Sequence, residues 1–164
     1  MREYATAKHF QDLFVENASG LHLLSFLLTA DAEKAEECFV SGFNDCAGGN
    51  EVFLNWAYTW ARRVIVQNAI RMIAPAPDAS DATPESIRKG DESGQLRVSE
   101  LECRFANVLS LSNFERFVFV LSVLEQYSEL DCSRLLKTSP AEIRKVRQQA
   151  ILHAVEYGAA AAGH

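Results

Sequence analysis

The sequence predicts an all-α protein with two small helical domains, and three observations support this. Apolar residues recur at helical spacing, and no stretch shows the alternation typical of a β-strand. Residues 74–95 hold three of the four prolines among Ser, Asp and Gly, which indicates a mobile linker. Around Lys137 a short turn separates two helical patterns, as in a helix-turn-helix. We therefore expect domains at 1–73 and 96–164, with the helix-turn-helix in the second.

Composition and charge argue against a membrane-spanning protein, a secreted protein and a protein that coats nucleic acid. The 164 residues are 48% hydrophobic and 23% charged, which is ordinary for a soluble globular protein. No apolar run reaches the ~18 residues that cross a bilayer, and the N-terminus lacks the apolar core of a secretory signal, so we expect a cytoplasmic location. The net charge of −6 argues against coating nucleic acid by bulk electrostatics, although residues 103–164 have a positive balance.

No pattern for catalysis, metal binding or a cofactor is present. The four cysteines never form a CxxC pair, so buried or half-buried free thiols in a reducing compartment are expected. The four histidines show no ligand spacing, and the acidic residues of 33–37 lack a histidine partner for acid–base work. The sequence contains no nucleophile motif and no Gly-rich phosphate loop, and it therefore predicts neither an enzyme nor a cofactor.

In the first domain we expect helices at 5–18, at 21–28, after Asp31 and at 51–73. Ser19 and Gly20 predict a break or kink, and 47–50 predicts a loop. Within the last helix the spacing assigns Phe53, Trp56 and Trp60 to a core stripe. Tyr58 lies off that stripe and is the aromatic residue that we expect to face DNA.

In the second domain we expect helices at 96–109, 114–126, 127–136 and 140–157. Ser112 with Glu115, and Ser139 with Glu142, match the capping box, and Pro140 suits the first helical position. Three leucines of the third helix, Leu130, Leu135 and Leu136, are expected to point inward.

Two stretches resemble the sigma-70 family of bacterial transcription initiation factors in its small extracytoplasmic-function form. The first stretch, residues 10–73, looks like that family's region two. Within it, residues 27–43, LLTADAEKAEECFVSGF, resemble the "gD…AEDlvQevF" helix. Residues 53–73 resemble the next helix of that region, "f..WLyriArN.aiDylRr". The matching positions are Asp31, Ala35, Glu36, Glu37, Phe43, Trp56, Tyr58, Ala61, Arg62 and Arg71.

The second stretch, 109–154, is similar to the family's region four, "Lp..eR.vf.L....gys..EIA..lgis..tVk". It is matched by Leu111, Glu115, Arg116, Val118, Phe119, Leu121, Tyr127, Ser128, Leu135, Leu136, Ser139, Ile143, Arg144 and Ala150. Both stretches occur in the family's order, with a linker between them.

The resemblance implies binding to RNA polymerase core and to promoter DNA, with an anti-sigma factor as a further possible partner. Region two would bind core and engage the −10 element, and region four would place a helix in the major groove at −35. Core contacts would come from Glu36, Glu37, Val40 and Phe43. DNA contacts would come from Tyr58, Arg62, Arg63 and Arg71 in the first domain and from Ser139, Arg144, Lys145, Arg147 and Gln148 in the second. Arg and Gln suit this role because they are bidentate donors to base edges.

Departures from the family pattern favour a second interpretation. Val40 replaces a Gln, Gln67 replaces an Asp, and Ile70 replaces a basic residue in region two. Lys137 replaces the turn Gly of region four, and residues 131–133 replace "EIA". These changes thin the core-binding and promoter-melting features. The alternative is therefore a sigma-like protein that acts as a decoy or adaptor, for example by occupying an anti-sigma factor, without initiating transcription. For residues 140–149, the simpler alternative to DNA binding is a solvent-exposed helix face without a ligand.

Overall fold

The computed structural model describes residues 3–49, 51–77 and 105–162, with side chains described as far as Glu156. Within these ranges the chain is mostly helical and contains no strand, so the predicted all-α class is confirmed there. An isolated antiparallel bridge joins Tyr4 to Phe53. The chain divides into two compact units, Met1–Ile73 and Ala74–His164, which are described separately. Most of the predicted linker at 74–95, and residues 96–104 of the next predicted helix, lie outside the described residues.

The first unit is built around a hydrophobic helix. Its elements are α1 (Ala7–Glu16), α2 (Ala18–Thr29), α3 (Ala32–Ala47), a 3₁₀ turn (Leu54–Trp56) and α4 (Ala57–Ile73). Most of α2 is buried, including Leu21, Phe26 and Leu28, which fits its prediction as a central helix. Asp31 caps α3 as expected, since its carboxylate accepts from the backbone N–H groups of Glu33 and Lys34 at 2.9 and 3.1 Å.

Two predictions for the first unit are wrong. The break falls at Asn17, and α2 runs through Ser19 and Gly20, because burial of its apolar residues outweighs the low helix propensity of glycine. The last helix begins at Ala57 and not near residue 51. Backbone hydrogen bonds to the N-terminal segment, from Ala5 N–H to Val52 C=O at 2.7 Å among others, hold 51–53 extended.

The second unit packs three longer segments and one short one. They are α5 (Ala106–Leu109), α6 (Asn113–Phe119) continued by a π-helical segment (Val120–Leu124), α7 (Glu129–Leu136) and α8 (Pro140–Ala162). Phe117, Val118, Leu121, Ile143 and Ala150 form the centre of its core. The helix predicted to end near Tyr157 continues to Ala162.

In the second unit, the predicted helix caps form, but one capping box and one predicted buried leucine do not match the structure. Ser112 and Ser139 accept from the backbone N–H groups of Glu115 and Glu142, at 3.3 and 3.2 Å, so both serines cap helices. The Glu115 carboxylate bonds His153 instead of closing its capping box. Leu130 is half exposed, which contradicts its predicted inward orientation. Cys132 and Ser133 are buried in α7 together with Leu136.

Three of the four cysteines lie in the described part of the chain, and all three are buried free thiols. Burial raises the pKa of Cys38 to about 11, of Cys46 to about 12 and of Cys132 to about 11. They are therefore structural thiols of low reactivity. In the described ranges we find no helix with the length and apolar character that crossing a membrane requires.

Candidate nucleic-acid and protein interfaces

The N-terminal half of α8 presents a polar face to solvent. Pro140 opens the helix behind the Ser139 cap, and Ile143, Val146 and Ala150 bury the opposite side. This packing leaves Arg144, Lys145 and Gln148 exposed and Arg147 partly exposed. We call these four residues the basic face. The structure thus brings together the residues that the sequence assigned to DNA in the second domain.

A three-residue turn fixes α8 relative to α7. Lys137 ends α7 in the left-handed conformation, with φ 54° and ψ 48°, a region that favours glycine. The backbone N–H groups of Lys137 and Thr138 both donate to the Ser133 carbonyl, the second at 3.0 Å. The buried residues of α7 then pack this helix against α8.

Glu129, at the start of α7, holds two arginines of the basic face. Arg144 donates from Nε to Glu129 Oε1 at 3.2 Å and from Nη2 to Oε2 at 2.9 Å. Arg147 donates from Nη2 to the same Oε1 at 2.9 Å. Side-chain exposure is 61% for Arg144 and 25% for Glu129. Hydrogen bonds from Arg144 are the main cause that lowers the pKa of the Glu129 carboxyl. Nothing in the sequence pattern singles out Glu129.

In the first unit, two of the three arginines that the resemblance assigns to DNA make internal contacts. Arg62 donates from Nη1 to the Tyr58 hydroxyl at 2.9 Å, and its guanidinium carbon lies 5.5 Å from the centroid of that ring. Arg71 forms an ion pair with Asp45 at 3.2 Å. Asn68 joins this pair, since it donates to Asp45 at 2.9 Å and accepts from Arg71 at 2.9 Å.

An aromatic cavity of about 620 Å³ lies beside the start of α4. It is lined by Glu51, Val52, Phe53, Trp56, Thr59, Trp60 and Arg63. Trp56 is 65% exposed, so its predicted place in the core is wrong. The 3₁₀ turn rotates Trp56 off the buried face of α4, although helical spacing places it there. Its ring meets Phe53 edge-on, with centroids 5.8 Å apart.

The outer face of α3 is acidic with one apolar side chain. Glu36, Glu37 and Val40 are exposed, the last by 48%. Phe43, assigned to the same interface by resemblance, is half-buried and packs edge-on against Phe14 at 5.4 Å between ring centroids. Three of the four core-binding candidates are therefore exposed, and the fourth, Phe43, is half-buried.

No protein-family model matches the chain, and no curated protein matches it. In the described residues, no group of three or more His, Cys, Asp or Glu side chains is placed to hold a metal ion.

Proposed function

We propose that this protein is a DNA-binding transcription initiation factor of the extracytoplasmic-function sigma kind. The observation that carries the proposal is the basic face of α8, on a capped helix that a short turn joins to α7. A helix with one buried side and an Arg, Lys and Gln face on the other is suited to enter a major groove. The capped N-terminus of α8, at Ser139, adds a site where a backbone phosphate is favoured.

The first unit supports the same proposal through its aromatic cavity. Exposed aromatic rings stack on unpaired bases without sequence preference, and the exposed Trp56 offers such a ring at a cavity that Arg63 also lines. Tyr58 and Arg62 lie on the same helix. The exposed face of α3, with Glu36, Glu37 and Val40, would contact RNA polymerase core. This function requires a cytoplasmic location.

The test is a pull-down with bacterial RNA polymerase core at physiological salt, followed by transcription from fragments of the source genome. The wild-type protein is expected to co-elute with core and to direct discrete transcripts. The double variant Arg144→Ala, Arg147→Ala is expected to keep core binding and to lose promoter selection, because the two units carry different tasks. Absence of core binding by the folded wild-type protein would refute the proposal.

The second candidate is a sigma-like decoy or adaptor that binds a protein, for example an anti-sigma factor, and does not initiate transcription. A specific observation favours it. Arg71 is paired with Asp45 and Arg62 donates to the Tyr58 hydroxyl, while the exposed face of α3 around Glu36, Glu37 and Val40 is acidic and apolar. Such a surface suits a protein partner better than a phosphate backbone. If the protein is a decoy, the Arg144→Ala, Arg147→Ala variant should bind the protein partner as tightly as wild type does. Neither protein should then yield a transcript with RNA polymerase core.

A further inference from the structure

We propose that Glu129 is a positioning residue that sets the DNA sequence specificity of the basic face. Its carboxylate orients the Arg144 guanidinium so that the base-reading edge points outward, and it restrains Arg144 and Arg147 from binding phosphate indiscriminately. This inference rests on the proposed DNA-binding function.

The hydrogen-bond pattern of Arg144 leaves one edge of its guanidinium for a ligand. A guanidinium carries five N–H donors, one on Nε and two on each terminal nitrogen. Glu129 takes the Nε donor and one Nη2 donor. Nη1 and the second Nη2 donor then form the outer edge, and no hydrogen bond within the described residues occupies Nη1. Two parallel donors on one edge are what the O6 and N7 acceptors of guanine require.

The position of Glu129 is fixed by its own helix. Ser128 caps α7 by accepting from the Asp131 N–H at 3.1 Å, and Glu129 is the first helical residue. Buried Cys132 and Ser133 anchor α7 one turn further on. A carboxylate at a helix N-terminus is favoured by the helix dipole. The Arg144 guanidinium is therefore held from a rigid element instead of by its own flexible stem.

Charge is the second consequence of this arrangement. One carboxylate shared by two guanidinium groups halves the net positive charge of that cluster. Non-specific DNA binding depends on the cations available to phosphate, so Glu129 lowers it. Specific binding depends on donor geometry, which Glu129 maintains. Removal of the carboxylate charge should therefore change the two kinds of binding in opposite directions.

The experiment compares full-length wild type with Glu129→Gln and with the control Asp131→Asn. Asp131 lies two residues away in the same helical turn, is exposed, and forms no ion pair among the described residues. The probe is a duplex library with a randomised central segment, from which wild type enriches its preferred site. Dissociation constants are then measured over a range of salt for the enriched duplex, for its G-to-A variants and for an unrelated duplex.

For Glu129→Gln we expect discrimination against the G-to-A variants to fall about tenfold, because a bidentate contact contributes about that ratio. Binding to the unrelated duplex should tighten several-fold, and its log–log salt slope should steepen by about 1, as one more phosphate is neutralised. Asp131→Asn should show neither the lost discrimination nor the steeper slope.

Equal behaviour of the two variants, or unchanged discrimination in Glu129→Gln, would overturn the role of Glu129 while leaving DNA binding in place. A wild-type protein that enriches no site, or whose binding ignores Arg144→Ala, would overturn the proposed function and this inference together. Far-UV circular dichroism and the unfolding midpoint confirm that each variant is folded.

Discussion

Gly42 lets α3 lie against α4 more closely than any residue with a side chain would allow. A Cβ atom at this position would sit 2.8 Å from Cγ1 of Ile65, a fully buried side chain. We expect Gly42→Ala to lower the free energy of unfolding by about 1 kcal/mol. Overpacking in a core costs about 1–3 kcal/mol, and the better helix propensity of alanine offsets part of this. Urea unfolding followed by circular dichroism measures the change.

Gly20 provides the matched control for this substitution. It also lies inside a helix, α2, but a Cβ atom there would have nothing within 4 Å. Gly20→Ala should therefore raise the free energy of unfolding by about 0.5–1 kcal/mol, through helix propensity alone. A destabilised Gly20→Ala, or a stabilised Gly42→Ala, would contradict the packing described here.

At the residue scale, sequence patterns find buried positions better than partners. The stripe of Ile143, Val146 and Ala150 follows from helical spacing, and so does the exposure of Lys145. The pairing of Glu129 with Arg144 joins residues 15 positions apart across a turn, and no local rule predicts it. Helical spacing assigns Trp56 to the core stripe of α4, but Trp56 lies in the 3₁₀ turn before that helix.

His153 ties α8 to the first turn of α6. Its Nδ1 lies 3.0 Å from Glu115 Oε2, and this carboxylate raises the pKa of the imidazole above its usual value. Because the pKa of His153 is raised in the folded state, the pair adds to the free energy of unfolding. This contribution is fully present below the unfolded-state pKa and is lost as pH rises through the folded-state pKa. The pair is half exposed on the His153 side, so its contribution stays below about 1 kcal/mol.

We expect Glu115→Gln to lower the pKa of His153, as measured by NMR titration. The variant should also destabilise the protein more at about pH 5.5 than at about pH 8, because only the protonated imidazole gains from Glu115. The difference between the two pH values should disappear in a His153→Gln background, which removes the pair but keeps the Ser112 cap. A loss of stability that is equal at both pH values would assign Glu115 to the helix dipole alone.

At the element scale, helix ends follow from the sequence wherever a local chemical signal fixes them. The Asp31 and Ser139 caps are such signals. Two other features depend on tertiary contacts. The N-terminal segment pairs with 51–53, and α4 therefore begins only at Ala57. The burial of α2 outweighs the break expected at Ser19 and Gly20. Propensity alone cannot reveal either effect.

The whole molecule carries a net negative charge, whereas the surface proposed to bind DNA is basic. A net charge of −6 provides no general attraction to nucleic acid, so affinity has to come from a few local cations. Composition correctly places the positive balance in the C-terminal third. It does not show that Glu129 pairs with both arginines of the basic face. Because of this pairing, Lys145 is the exposed cation of the basic face that has no ion pair among the described residues.

Lys145 should therefore act as a phosphate contact. We expect Lys145→Ala to weaken binding to every duplex by a similar factor and to reduce the log–log salt slope of the dissociation constant by about 1, with sequence preference unchanged. Fluorescence anisotropy on the full chain at several salt concentrations measures this. Lys8→Ala removes the same charge from the exposed side of α1 and should leave the slope unaltered. A change in preference with Lys145→Ala would instead make Lys145 a base-reading residue, and an unchanged slope would place the DNA away from α8.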